Sequence, residues 1–282
     1  MSYNEKLMHV WNEPDGEQVM GINFFNETQS HSISTIVYSA VNQLYFAIST
    51  DFKLHMFNEH LMWVGWLPLK VRLVHFAYFY EKKSTLITAG IDGCYMFKIN
   101  INSKYEPKQA LNLDPSGKFF FPEIGPKTKL EKMPLWVKGL KVMESLDFIF
   151  TWSQLKSCFN GLDGKLKYRY NQLTSPEDLI TDVIVNEEYK YFLTSTHSGM
   201  IIVWKLQRKK QKVHTFNFHF KSVTSLTAIP GQPTLFVSAS NDNTIRISSL
   251  DKFVELYNFI LPAGATNIHL LSESIFACFY KD

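Results

Sequence analysis

Residues His219–Ser249 read HFKSVTSLTAIPGQPTLFVSASNDNTIRISS, and this stretch decides the fold. Leu235, Val237 and Ala239 alternate in it with Phe236, Ser238 and Ser240. Neither set is strongly polar, as expected of a strand covered on both faces. Asn241-Asp242-Asn243 then supplies residues that favour a turn, and a second short run, Thr244–Ser249, follows. Two such runs joined by a short polar turn predict a β-hairpin.

The same shape recurs as KYFLTSTHSGMIIVWK at Lys190–Lys205, STLITAGIDGCYMFK at Ser84–Lys98, QLYFAISTDFKLHMFN at Gln43–Asn58 and, more weakly, DFIFTWSQLKSCFN at Asp147–Asn160. The second runs end at Phe57, Phe97, Phe159, Trp204 and Ser248, at intervals of 40, 62, 45 and 44 residues, and Trp11 of LMHVWN lies 46 residues before Phe57. Asp92-Gly93 and Ser198-Gly199 sit in the turns between the runs; Asp15-Gly16 and Asp163-Gly164 follow the aromatic position. A period of roughly 40–45 residues with four strands per unit is that of a β-propeller. The long interval predicts an insertion at about 101–134, in an outer loop or strand of the blade whose third strand ends at Phe97. No segment keeps a 3.6-residue apolar period over about 12 residues, so almost no helix is predicted.

At the ends, Lys6–Asn12 and a strand near Gln18–Phe25 read as a third and a fourth strand, while strands near Thr266–Leu271 and Ile275–Tyr280 read as a first and a second. Five complete units and two complementary halves make about six four-stranded blades. Either the halves pair into one composite blade or the chain is an open arc cut from a longer protein.

Composition narrows the class. A chain of 282 residues with 45% hydrophobic and 15% aromatic content can bury a large core. A formal charge of +3 does not by itself point to nucleic acid or an anionic membrane. Cys94, Cys158 and Cys278 are far apart and form no C-x-x-C pair, which suits reduced thiols in a cytosolic protein. The apolar stretch Leu61–Tyr80 is interrupted by Pro68, Lys70 and Arg72, so it reads as two strands joined by a turn, not a membrane span of about 20 apolar residues. Within it Trp63 and Trp66 are an odd number apart, which on a regular strand puts them on opposite faces. At least one is therefore expected to be buried against the next blade.

On these residues the chain resembles the WD40-repeat family. His219 falls at the family's His position, Ser238 in the second strand and Asp242 at the turn, while Ser248-Ser249 replaces the Trp-Asp pair. Trp204 keeps the Trp, Phe57 and Phe97 keep only an aromatic, and Asp92 stands at a turn. His31 and Asp51 fit the His and Asp positions of the unit ending at Phe57. The resemblance implies a WD40-type β-propeller in which these side chains brace their own blade. The degenerate, Phe-rich repeats are also loosely similar to the long WD-repeat proteins of cilia and flagella.

No residue set announces chemistry. The nine histidines form no H-x-x-x-H or H-E-x-x-H pair, so no metal site is expected, and Asn241–Asn243 lacks the spaced carboxylates of a calcium loop. No nucleophile elbow, phosphate loop or dinucleotide fingerprint is present; no catalytic residue and no cofactor is assigned. Two stretches are candidate partner contacts. Phe119-Phe120-Phe121 is a docking element if exposed, whereas a fourth strand formed by the insertion would bury at least two of the three. Lys205–Lys212, KLQRKKQK, carries Arg208, Lys209, Lys210 and Lys212. The expected function is a non-catalytic scaffold for protein partners in the cytoplasm, in a ciliary or cytoskeletal setting. The alternatives are binding of RNA or of a microtubule surface through the basic loop, and a propeller-type hydrolase.

Overall fold

The computed structural model describes residues 2–3, 7–11, 18–23, 32–69, 74–91, 93–101, 111–119, 137–153, 156–161, 166–171, 173–174, 178–207, 209–270 and 276–280. Among them there is no α-helix; the helical pieces are three-residue 3-10 turns at Glu81–Lys83 and Glu144–Leu146. No helix of the described residues is long and apolar enough to cross a membrane. The chain divides into two compact units, Met1–Val137 and Lys138–Asp282.

In the first unit β1 (Ser2–Tyr3), β2 (Leu7–Trp11) and β3 (Gln18–Asn23) form a three-stranded sheet. Next come β4 (Ile33–Ser39), β5 (Leu44–Ser49), β6 (Lys53–Asn58) and β7 (Trp63–Pro68), four strands in sequence order. β8 (Val74–Tyr80), β9 (Thr85–Gly90), β10 (Gly93–Ile101) and β11 (Leu111–Phe119) make a second four-stranded sheet. The two strands in Leu61–Tyr80 are thus β7 and β8, which belong to successive sheets. β11 falls within residues 101–134, where an insertion is expected, and is the fourth strand of its sheet. Leu44, Phe46, Ile48, Leu54 and Met56 of one sheet share a core with Val74, Phe79, Leu86, Phe97 and Ile99 of the next. Phe46 stacks on Phe79 at 5.2 Å between ring centroids.

The second unit repeats this plan. Its sheets are β12 (Gly139–Met143), β13 (Phe148–Trp152), β14 (Lys156–Gly161) and β15 (Leu166–Asn171); β16 (Ile180–Asn186), β17 (Tyr191–Thr196), β18 (Ile201–Lys205) and β19 (Lys212–Phe216); and β20 (Val223–Ile229), β21 (Gln232–Ser240), β22 (Thr244–Ser249) and β23 (Val254–Ile260). β24 (Ala265–Leu270) and β25 (Phe276–Tyr280) form a two-stranded sheet. Alternation along each central strand feeds two cores. Phe192 of β17 joins Phe150 and Trp152 of the preceding sheet. Leu193 joins Val223, Leu226 and Phe236 of the following one. On β21, Phe236 belongs to that same core, and Val237 and Ala239 to the core shared with Ala265 and Ile268. A lone sheet of this kind would expose one apolar face, so the sheets stabilise one another by removing it from water.

Two irregularities recur with the repeat. The first strand of five sheets carries a β-bulge one residue in, after Ile33, Val74, Ile180, Val223 and Ala265. The pairing of third and fourth strands shifts at the aromatic position in six sheets, between Val10/Trp11, Met56/Phe57, Met96/Phe97, Phe159/Asn160, Val203/Trp204 and Ile247/Ser248.

The second bulge overturns the expectation for the tryptophans. Trp63 and Trp66 are 59% and 48% exposed. Trp66 lies opposite His55 and Trp63 opposite Phe57, with Val64 left over as the extra residue. The extra residue reverses the alternation, so both indoles share the face of His55 and Phe57. Val64 and Leu67 pack against the core that Leu54 and Met56 share with the next sheet. Lys53 Nζ sits 5.0 Å from the centroid of the Trp66 ring.

Candidate functional site

The first-strand bulges help to build a concavity in the second unit. A cavity of about 500 Å³ is lined by Lys138, Leu179, Ile180, Thr181, His197, Ser222, Thr224, Asn241 and Thr266. That is within the volume range of sites that take small groups. Its lining comes from equivalent places in successive sheets. Thr224 and Thr266 are the extra residues of the β20 and β24 bulges, and Thr181 stands in the corresponding β16 bulge. Lys138, Leu179 and Ser222 each precede a first strand, and His197 and Asn241 each follow a second strand. The last two are held by equivalent backbone bonds, His197 N–H to Leu179 O at 2.9 Å and Asn241 N–H to Ser222 O at 2.9 Å.

Behind the lining, polar side chains tie sheet to sheet. The Thr224 hydroxyl donates to Ala265 O of the next sheet at 2.6 Å, while Thr181 shares a hydrogen bond of 2.8 Å with Ser195 inside its own sheet. Asp182 accepts from the amides of Leu226 (2.8 Å) and Val183 (2.7 Å). Desolvation holds its carboxyl above the usual carboxylate range, with Lys141 and these amides opposing. Asn267 repeats the device in β24, accepting from the Ser225 hydroxyl at 3.0 Å and the Ile268 amide at 2.9 Å. The nine lining residues offer an ammonium, an imidazole, an amide and four hydroxyls, with no carboxylate or thiol. Among the described residues no three His, Cys, Asp or Glu side chains gather as metal ligands.

Three of the residues expected to brace a blade, His219, Ser238 and Asp242, lie within bonding distance in one sheet. His219 is 4% exposed, and its ring nitrogens lie 2.9 Å from Asp242 Oδ2 and 2.9 Å from Ser238 Oγ. Asp242 also accepts from the amides of Phe220 and Thr244, both at 3.0 Å, and from the Thr244 hydroxyl at 2.6 Å. Burial lowers the His219 pKa against the opposing pull of Asp242. Burial alone would raise Asp242, but the bonds from Thr244 and His219 hold it below the carboxylate norm. Where a tryptophan would complete the set stands Ser248, whose buried hydroxyl has no partner among the described residues.

In the preceding sheet Trp204 donates from Nε1 to the Thr194 hydroxyl at 2.9 Å, and the turn is held by Asp178, which accepts from the amide and hydroxyl of Ser198. Asp51 sits at its turn, accepting from Ser49 Oγ and pairing with Lys53 at 2.6 Å. Phe57 and Phe97 are buried. His31, Asp92, Phe120, Phe121 and Arg208 lie outside the described residues, and Phe119 is described only as the end of β11. Lys209, Lys210 and Lys212 are exposed. These three lysines are not among the residues that line the cavity.

Comparison with known proteins agrees with this architecture. Residues 210–247 match the model of the WD domain, G-beta repeat. The chain is similar to the crystal structure of the WD40 beta propeller domain of Doa1, with a TM-score of 0.65 and 14% identity over 97% of this chain and 82% of that one. No curated protein matches the sequence. Residues 210–247 are thus a WD40 repeat, and the chain has the fold of a WD40 β-propeller.

Proposed function

We propose that the protein is a non-catalytic scaffold for protein partners, with the hydroxyl-lined cavity of the second unit as its docking site. WD40 domains generally bind proteins and are generally not enzymes. The observation that carries the reading is the cavity's origin. Its side chains come from the same few positions of successive sheets, so a rigid frame holds hydrogen-bonding groups toward one concave space. Its histidine has no carboxylate beside it in the lining to orient it as a base, and no thiol to activate. A cytoplasmic place, in a ciliary or cytoskeletal assembly, is part of the same proposal and rests on the style of the repeats.

His197 and Asn241 line the cavity from exposed positions, so His197→Trp with Asn241→Trp fills it without touching the core. Affinity capture with quantitative mass spectrometry compares this variant with the unaltered chain. A reproducible protein partner that is lost from the variant supports the proposal. Equal capture by both, or no reproducible partner at all, overturns it.

A further inference from the structure

The turn between β18 and β19 is a preorganised cationic surface away from the cavity. Lys205, Lys209, Lys210 and Lys212 are exposed, and the adjoining turn adds exposed Lys190. In sequence, Lys205–Lys212 also holds Arg208, which lies outside the described residues, and no carboxylate. Among the described residues the adjoining turn carries two acids, Glu187, which accepts from Ser145 Oγ, and exposed Glu188.

A solvated hairpin tip needs no internal order, yet this turn is tied down. The Lys205 amide donates to Gln211 O at 3.0 Å and the Leu206 amide to Lys190 O at 2.6 Å. The side chains of Gln207 and Gln211 bond to each other at 2.8 Å, and the Tyr170 hydroxyl donates to Gln207 O. Lys210 Nζ lies 5.9 Å from the centroid of the Trp204 ring. A turn held this way binds with little backbone ordering cost, leaving the rotamer freedom of the lysine side chains as the part still lost.

We infer that this turn docks an acidic segment of a partner protein, a run of Asp and Glu carboxylates. Charge complementarity supplies the attraction. RNA fits less well. Single-stranded RNA is held by open aromatic faces as well as cations; beside these cations Trp204 is 6% exposed beneath Lys210, and Tyr189 and Tyr191 are half-buried and stacked on each other at 6.2 Å. The overall charge of +3 gives no wider basic footprint. The surface is separate from the cavity, so either assignment can fail alone.

Fluorescence anisotropy on the full chain, with labelled decaglutamate and decauridylate as probes, tests the inference. Decaglutamate is expected to bind more tightly than decauridylate and to weaken about tenfold as salt screens the turn. Arg208→Gln, Lys209→Gln, Lys210→Gln and Lys212→Gln together are expected to weaken it by about the same factor, with an unchanged melting temperature. Lys82→Gln with Lys83→Gln, an exposed pair in the first unit, leaves it unaltered. Decaglutamate binding that survives the four-fold change overturns the inference, and so does tighter binding of decauridylate.

Discussion

His219 and Asp242 form a bonded pair inside one sheet, and a double-mutant cycle across them measures it. His219→Ala removes a hydrogen bond to a charged partner, worth about 1.5–3 kcal/mol, and strands the Ser238 hydroxyl, at a further cost of about 1–3 kcal/mol. Ser238 is fully buried, so water cannot replace the lost ring nitrogen. A total near 3 kcal/mol is expected. Asp242→Ala takes the acceptor from the Phe220 and Thr244 amides as well as from His219, and about 3 kcal/mol is expected again.

The shared bond is counted in both single changes, so the double variant should cost about 1.5 kcal/mol less than their sum. Urea denaturation at pH 8, where His219 is neutral in both states, reads these differences as shifts in midpoint at constant slope. Additivity within about 0.5 kcal/mol would refute the reasoning, because it would mean that the ring and the carboxylate stabilise the sheet independently.

Three further expectations concern single residues. Because burial lowers the His219 pKa, the unfolded chain takes up a proton first as pH falls below about 6.5. Its contribution to stability is therefore present above that pH and is lost on acidification. His219→Gln should flatten the slope between pH 7 and 5, leaving a remainder from His55 and His214, which burial also lowers. Gly199 has φ +98°, and a Cβ there would lie 2.5 Å from His219 O. Gly199→Ala should cost about 2–4 kcal/mol by urea denaturation, and a neutral outcome would contradict the turn geometry. Ser248→Ala removes a buried hydroxyl that has no partner among the described residues; calorimetry should find stability unchanged within about 0.5 kcal/mol or raised.

The hairpins were legible because their runs keep a period of two and their turns carry Asp, Asn, Ser or Gly. What stayed hidden follows from the bulges. The spacing of Trp63 and Trp66 cannot reveal the extra residue at Val64 that returns both rings to one face. β11 is masked in sequence by Pro115 and Gly117, yet as an edge strand it accommodates them, and Pro115 adjoins its own bulge. Repeat positions picked out His219, Ser238 and Asp242, which the fold brings within bonding distance, but spacing gave no sign that the Trp–Thr bond lies one sheet earlier at Trp204 and Thr194.

The cavity was missed altogether, although a signal was present. Ser34-Thr35-Ile36, Thr181-Asp182-Val183, Thr224-Ser225-Leu226 and Thr266-Asn267-Ile268 repeat a hydroxyl, a small polar residue and an aliphatic at the start of four first strands. Read as side chains facing water, the pattern says nothing. Read as a bulge, it aims a hydroxyl out of the ladder.

Hydrogen exchange of the chain alone and with its captured partner tests the docking site most directly. Added protection is predicted over 179–182, 197–200, 222–225 and 241–243, the segments that supply most of the cavity wall. Protection confined to other strands, such as Val254–Ile260, would contradict it.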